Sequence, residues 1–84
     1  MDSLHVALVV PCYNEALTIA AVIEEFKAAV PTISVHVFDN NSTDETAAVA
    51  RAAGATVHLV RAQGKGSVVR RMFADVDADL YVMV

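Results

Sequence analysis

Two clusters of polar side chains stand directly behind two apolar runs, and their residue types suit the binding of a nucleotide. Leu4-His5-Val6-Ala7-Leu8-Val9-Val10 runs into Pro11-Cys12-Tyr13-Asn14-Glu15, and Ser34-Val35-His36-Val37-Phe38 runs into Asp39-Asn40-Asn41-Ser42-Thr43-Asp44. A helical pattern follows each cluster. Both therefore sit where a parallel strand hands over to a helix, the edge at which open α/β sheets bind ligands. Carboxylates, amides and an aromatic ring gathered there describe half of a nucleotide pocket.

The elements that must hold these clusters alternate strand and helix throughout. That alternation predicts an α/β fold with a mostly parallel, partial doubly wound sheet and right-handed crossovers. The first strand is expected over about Leu4 to Val10, ended by Pro11, and its continuous apolar character suits a central strand covered on both faces. Asn14 is expected to cap helix one, with Glu15 in its first turn. The apolar stripe is Ile19, Val22, Ile23, Phe26 and Val30, leaving Glu24, Glu25 and Lys27 toward water. Pro31 stops that helix.

The second strand covers about Val35 to Phe38, and Ser42 with Glu45 reads as a capping box for helix two. Ala47, Ala50 and Ala53 give helix two a close-packing inner side, and Gly54 is its stop. Thr56 to Val60 form strand three. Val68, Val69, Met72, Phe73 and Val76 mark helix three, with Asp75, Asp77 and Asp79 as a solvated exit before strand four at Leu80 to Val84. The expected strand order is 3-2-1-4, with three helices. The crossover from Gly64 to Phe73 then opens a crevice beside strands one and four.

Composition narrows the partners. The chain has 84 residues, 56% of them hydrophobic and 19% charged, which excludes disorder and allows one small domain. A chain of this size buries only roughly 60–65% of its unfolded surface, so marginal stability is expected. A net charge of −4 argues against a nucleic-acid backbone as partner. No run approaches a membrane span, and Asp2 and His5 interrupt any signal-like start. The single cysteine, Cys12, excludes an internal disulfide and fits a cytoplasmic location. It reads as a small buried residue in the turn after the first strand.

Pro11-Cys12-Tyr13-Asn14-Glu15, Asp39-Asn40-Asn41-Ser42-Thr43-Asp44 and Gly64-Lys65-Gly66 resemble, in order and spacing, the nucleotide-binding half of inverting family 2 glycosyltransferases. The stretch VVPCYNEALTIAAVI looks especially like the branch that makes polyprenyl-phosphate sugars. The resemblance implies a Rossmann-like GT-A fold and a UDP- or GDP-sugar donor. It leaves the acceptor open, with a polyprenyl phosphate as one candidate. On this reading Tyr13 offers a ring face to the base. Asp39 accepts the N3–H of uracil or the N1–H and N2–H of guanine, a charge-assisted bond contributing ~1.5–3 kcal/mol. By similarity, the backbone around Pro11 meets the base, Glu15 lies near the ribose, and Lys65 contacts the bound nucleotide. Many relatives carry two adjacent carboxylates after strand two, whereas here Asn40 follows Asp39. Which of the two side chains meets the base stays open.

The family also implies Mg²⁺ or Mn²⁺ held by an Asp-x-Asp motif after the fourth strand, and a later carboxylate as base. Neither motif is in this sequence, and Asp75, Asp77 and Asp79 precede the strand. Residues 1–84 are therefore expected to be the N-terminal nucleotide-sugar-binding half of a transferase domain, inactive alone. The cytoplasmic face of a membrane would suit a longer parent. An apolar, unpaired fourth strand also predicts poor solubility.

Rival readings carry weight. Capping alone accounts for Ser42 and Glu45, turn formation competes for Asp39, and packing competes for Tyr13. Arg70 and Arg71 suit a solvated helix face. A Walker A loop would need glycine at Leu59, and a dinucleotide fingerprint would need it at Val69. His5, His36 and His58 read as sheet histidines without metal-site spacing. The alternative function is a non-catalytic nucleotide-binding or protein-interaction module.

Overall fold

A computed structural model describes residues 4–61 and 65–84, and in it strand and helix alternate as the apolar pattern requires. The order is β1 (Val6–Cys12), α1 (Ile19–Ala29), β2 (Ser34–Asp39), α2 (Thr46–Ala52), β3 (Thr56–Leu59), α3 (Lys65–Asp75) and β4 (Leu80–Met83). The strands form one parallel sheet in the order β3-β2-β1-β4. The expected order and three helices are both found.

Two cores flank the sheet. Leu8, Val10, Cys12, Val35 and Val37 point to the side holding Ile19 and Ile23 of α1 and Ala50 of α2. Ala7, Val9 and Phe38 point to the other, against Val68 and Met72 of α3 and Val76 just beyond it. β1 is apolar at nearly every position because both of its faces are covered. Val69 and Phe73 leave the expected α3 stripe and are partly exposed. The buried spacing of Val68, Met72 and Val76 fills the narrow contact, and Phe73 instead packs edge-on against Tyr81 at 5.1 Å.

Pro11 does not end β1, contrary to expectation. It pairs with Phe38, and the strand runs on to Cys12 opposite Asp39. The backbone of Cys12 faces β2, since its carbonyl accepts the Asn40 N–H at 2.9 Å. Pro11 therefore faces the β4 side, where the last paired residues are Val9 and Met83. A missing N–H costs no existing rung there, which is how proline is tolerated in this central strand.

Both helix starts also differ from expectation. Asn14 has φ +50°, so it turns the chain instead of capping, and α1 begins at Ile19 after the Thr18 N-cap. The Glu15 carbonyl accepts the Thr18 and Ile19 N–H groups at 3.1 and 2.9 Å. Ser42 and Glu45 form no capping box. Asp44 takes that role at α2, its Oδ1 accepting the Thr46 N–H at 2.9 Å and the Thr46 hydroxyl.

The far end of α2 follows the sequence. Gly54 has φ +97°, its N–H bonds to the Arg51 carbonyl, and the Ala55 N–H reaches back to Ala50, each at 3.0 Å. This paired closure needs a left-handed residue, which glycine adopts without penalty. His5 lies just before β1, not in a strand, and its N–H donates to the Asp79 carboxylate at 2.7 Å. Asp79 thus ties the entry of β4 to β1, while Asp75 pairs with Arg71 at 2.8 Å.

Candidate functional site

The register fixes the rim. Cys12 lies opposite Asp39, so Tyr13 and Asn40 are the first residues past the ends of two adjacent strands. Tyr13 and Asp39 therefore share the C-terminal edge of the sheet. Asp39, the last residue of β2, and Asn40, the first beyond it, line different hollows. Asp39 has the parity of Val35 and Val37 on the α1/α2 side.

Two neighbouring hollows result. The larger, of about 400 Å³, is lined by Pro11, Cys12, Tyr13, Glu15 and Asn40, with Val68, Val69 and Met83 as its apolar wall. The smaller, of about 160 Å³, is lined by Asp39, Asn41, Ser42, Leu59, Val60 and Arg61. Four of the residues singled out in the sequence, Pro11, Tyr13, Glu15 and Asn40, thus converge on one hollow. Asp39 faces the adjoining one. Lys65 is placed by its backbone alone, as the first residue of α3, and Gly64 lies outside the described residues.

Tyr13 is 59% exposed, so its ring is not spent on the core and stands free as a stacking surface. Asp39 is 5% exposed and is satisfied in part by the Ser42 N–H, which donates to Oδ1 at 3.1 Å. Cys12 is buried between them. Burial, then the charges of Glu15 and Asp39, push its thiol up to about 12. It is a protonated packing residue, as its small size suggested.

A net of hydrogen bonds joins the two rim loops. The Asn14 N–H donates to Ser42 Oγ at 2.9 Å. Asn14 Oδ1 accepts the N–H groups of Thr43 at 2.7 Å and Asp44 at 3.3 Å. The Glu15 N–H donates to Thr46 Oγ1 at 2.9 Å, and the Ala16 N–H to Asp44 Oδ2 at 3.3 Å. Donors that would be orphaned before α1 are thus satisfied by side chains of the second loop. The Thr46 hydroxyl bond, then its backbone bond and that of Ala16, hold the Asp44 carboxyl below the usual carboxylate range despite some desolvation.

Sequence reasoning missed several lining residues. Val68 and Val69 read as the apolar stripe of helix three and Met83 as part of strand four. Asn41 has φ +61° and donates through Nδ2 to the Arg61 carbonyl at 3.2 Å. An Asn-Asn pair in a turn was the available signal, because Asn tolerates the left-handed region better than most residues. Among the described residues no group of three His, Cys, Asp or Glu lies together to hold a metal. No described helix is long and apolar enough to cross a membrane.

Comparison with known proteins shows the family and the fold. Residues 7–84 match the model of glycosyl transferase family 2. The chain is 63% identical over 82 residues to Protein RfbJ of Shigella flexneri, covering 98% of this chain and 64% of that protein. It is 39% identical over 79 residues to Glycosyltransferase AglJ of Haloferax volcanii, covering 94% of this chain and 26% of that one. Its fold superimposes with TM-score 0.85 and 29% identity on glucosyl-3-phosphoglycerate synthase from Mycobacterium tuberculosis in complex with Mn²⁺, UDP and glucosyl-3-phosphoglycerate, covering 98% of this chain and 33% of that one. The chain therefore spans less than two thirds of the relatives it matches.

Proposed function

The chain belongs to glycosyl transferase family 2, and from that membership we propose that residues 1–84 form the nucleotide-sugar-binding half of an inverting glycosyltransferase. The observation that carries this reading is the convergence of Pro11, Tyr13, Glu15 and Asn40 on one hollow at the strand ends. An aromatic face, an amide and a carboxylate at that edge match the base, its polar edge and the ribose of a nucleoside.

In this reading the Tyr13 ring stacks on the base and the backbone at Pro11 lies along it. Glu15 accepts from the ribose hydroxyls. Asn40 reaches the base edge from the larger hollow, and Asp39 accepts from a base N–H that enters the smaller one. Lys65 contacts the bound nucleotide. UDP is the favoured nucleotide, because the similar synthase binds it; GDP is the comparison. The acceptor proposed is a polyprenyl phosphate.

The synthase is also described with Mn²⁺ and with Mg²⁺. The described residues of this chain do not by themselves make a metal site. What these residues can do is bind and orient the donor. Titration of the chain with UDP and GDP, followed by amide shifts, tests the reading. Shifts centred on Tyr13, Asn40 and Asp39 are expected, and their absence at millimolar nucleotide would overturn it.

A further inference from the structure

Asn14 lines neither hollow and Ser42, which lines the smaller one, is assigned no nucleotide contact, yet the two join the halves of the rim. Asn14 has φ +50°, a conformation open mainly to Gly, Asn and Asp. That turn aims Oδ1 at two successive amides of the other loop, Thr43 at 2.7 Å and Asp44 at 3.3 Å. Its own N–H goes to Ser42 Oγ at 2.9 Å. Ser42 in turn donates its N–H to Asp39 Oδ1 at 3.1 Å. A continuous chain of bonds therefore runs from the residue beside Tyr13 to the carboxylate at the end of β2.

We propose that Asn14 and Ser42 are positioning residues that lock the β1–α1 turn onto the β2–α2 turn, so that Tyr13 and Asp39 are presented to one nucleotide in fixed relation. The proposal rests on the nucleotide reading for its functional half. The structural half stands on the bonds themselves. Thr43 is exposed and has its N–H held by the Asn14 side chain, so the loop's order depends on that acceptor.

Three variants separate the effects. Asn14→Gly permits the left-handed backbone and removes the acceptor. Asn14→Asp keeps both. Ser42→Ala removes the partner of the Asn14 N–H. With UDP as the probe, Asn14→Gly and Ser42→Ala should weaken binding by roughly tenfold, the scale of one or two lost hydrogen bonds. Asn14→Asp should stay within about threefold of the parent chain on the same scale. A purely structural role would lower the melting temperature of Asn14→Gly and leave UDP affinity of the folded protein unchanged, which overturns the proposal. If the parent chain shows no UDP binding, the nucleotide reading fails separately. Hydrogen exchange then decides the lock: faster exchange at Thr43 and Asp44 in Asn14→Gly supports it, and unchanged exchange there overturns it.

Discussion

His36 of β2 and His58 of β3 face each other ring to ring, Nδ1 to Nε2, at 3.0 Å. One nitrogen must donate and the other accept, so the pair holds together only while at least one ring is neutral. His58 is further fixed by stacking on Phe38, centroids 4.3 Å apart. Burial lowers the proton affinity of His36, and His58 and His5 lower it further. Burial also lowers that of His58, with Arg71 adding to the effect and Asp75 opposing it.

The folded chain thus favours neutral rings, and the unfolded chain takes up protons first as pH falls below about 6.5. This contribution is complete above that pH and is lost as pH falls toward the lower folded values. Melting temperature should be flat from about pH 8 to 7 and drop from about 6.5 to 5. His58→Gln should flatten the drop; an unchanged profile in that variant would refute the assignment.

Thr46→Val should destabilise the chain by roughly 1–3 kcal/mol, because it strips the Glu15 N–H of its acceptor and Asp44 of a donor at a fully buried position. Thr46→Ser should recover most of this. Urea midpoints of the two variants are the measurement.

Tyr13→Ala should leave stability within about 0.5 kcal/mol, given the exposure of that ring. It should weaken UDP roughly tenfold or more, as expected for a lost base–aromatic stack. Tyr13→Phe should bind like the parent chain. Equal affinity of the alanine variant would remove the ring from the site.

Cys12, with its thiol near 12, should resist alkylation at pH 8. Labelling should then track opening of the fold, accelerating with urea in step with the loss of helix signal. Rapid modification in the folded state would show that the β1 end is more open than described.

The strand order and the two-sided core were legible because apolar runs and stripes report burial directly. Leu8, Val37, Ile23 and Met72 are core residues on pattern alone. The rim was legible in position and misread in detail. Asn14 looks the same in sequence whether it caps a helix or turns the chain left-handed, since one short amide serves both uses. Ser42 and Glu45 have capping-box spacing, but Asp44 competes from a closer position and wins. That Asp39 and Asn40 line different hollows was not legible, because the sequence pattern ends β2 at Phe38 and leaves both residues in one turn.

Pro11 has a last consequence for the shape of this edge. The Val84 N–H reaches the Val9 carbonyl at 3.4 Å, and the next rung would require a donor from position 11. A pyrrolidine nitrogen has none to give. The rung that position 11 would donate to a strand on that flank is therefore missing, and this gap is written into the covalent structure before any guest arrives. Replacing the ring with alanine would restore the missing donor and invite the sheet to seal its own mouth.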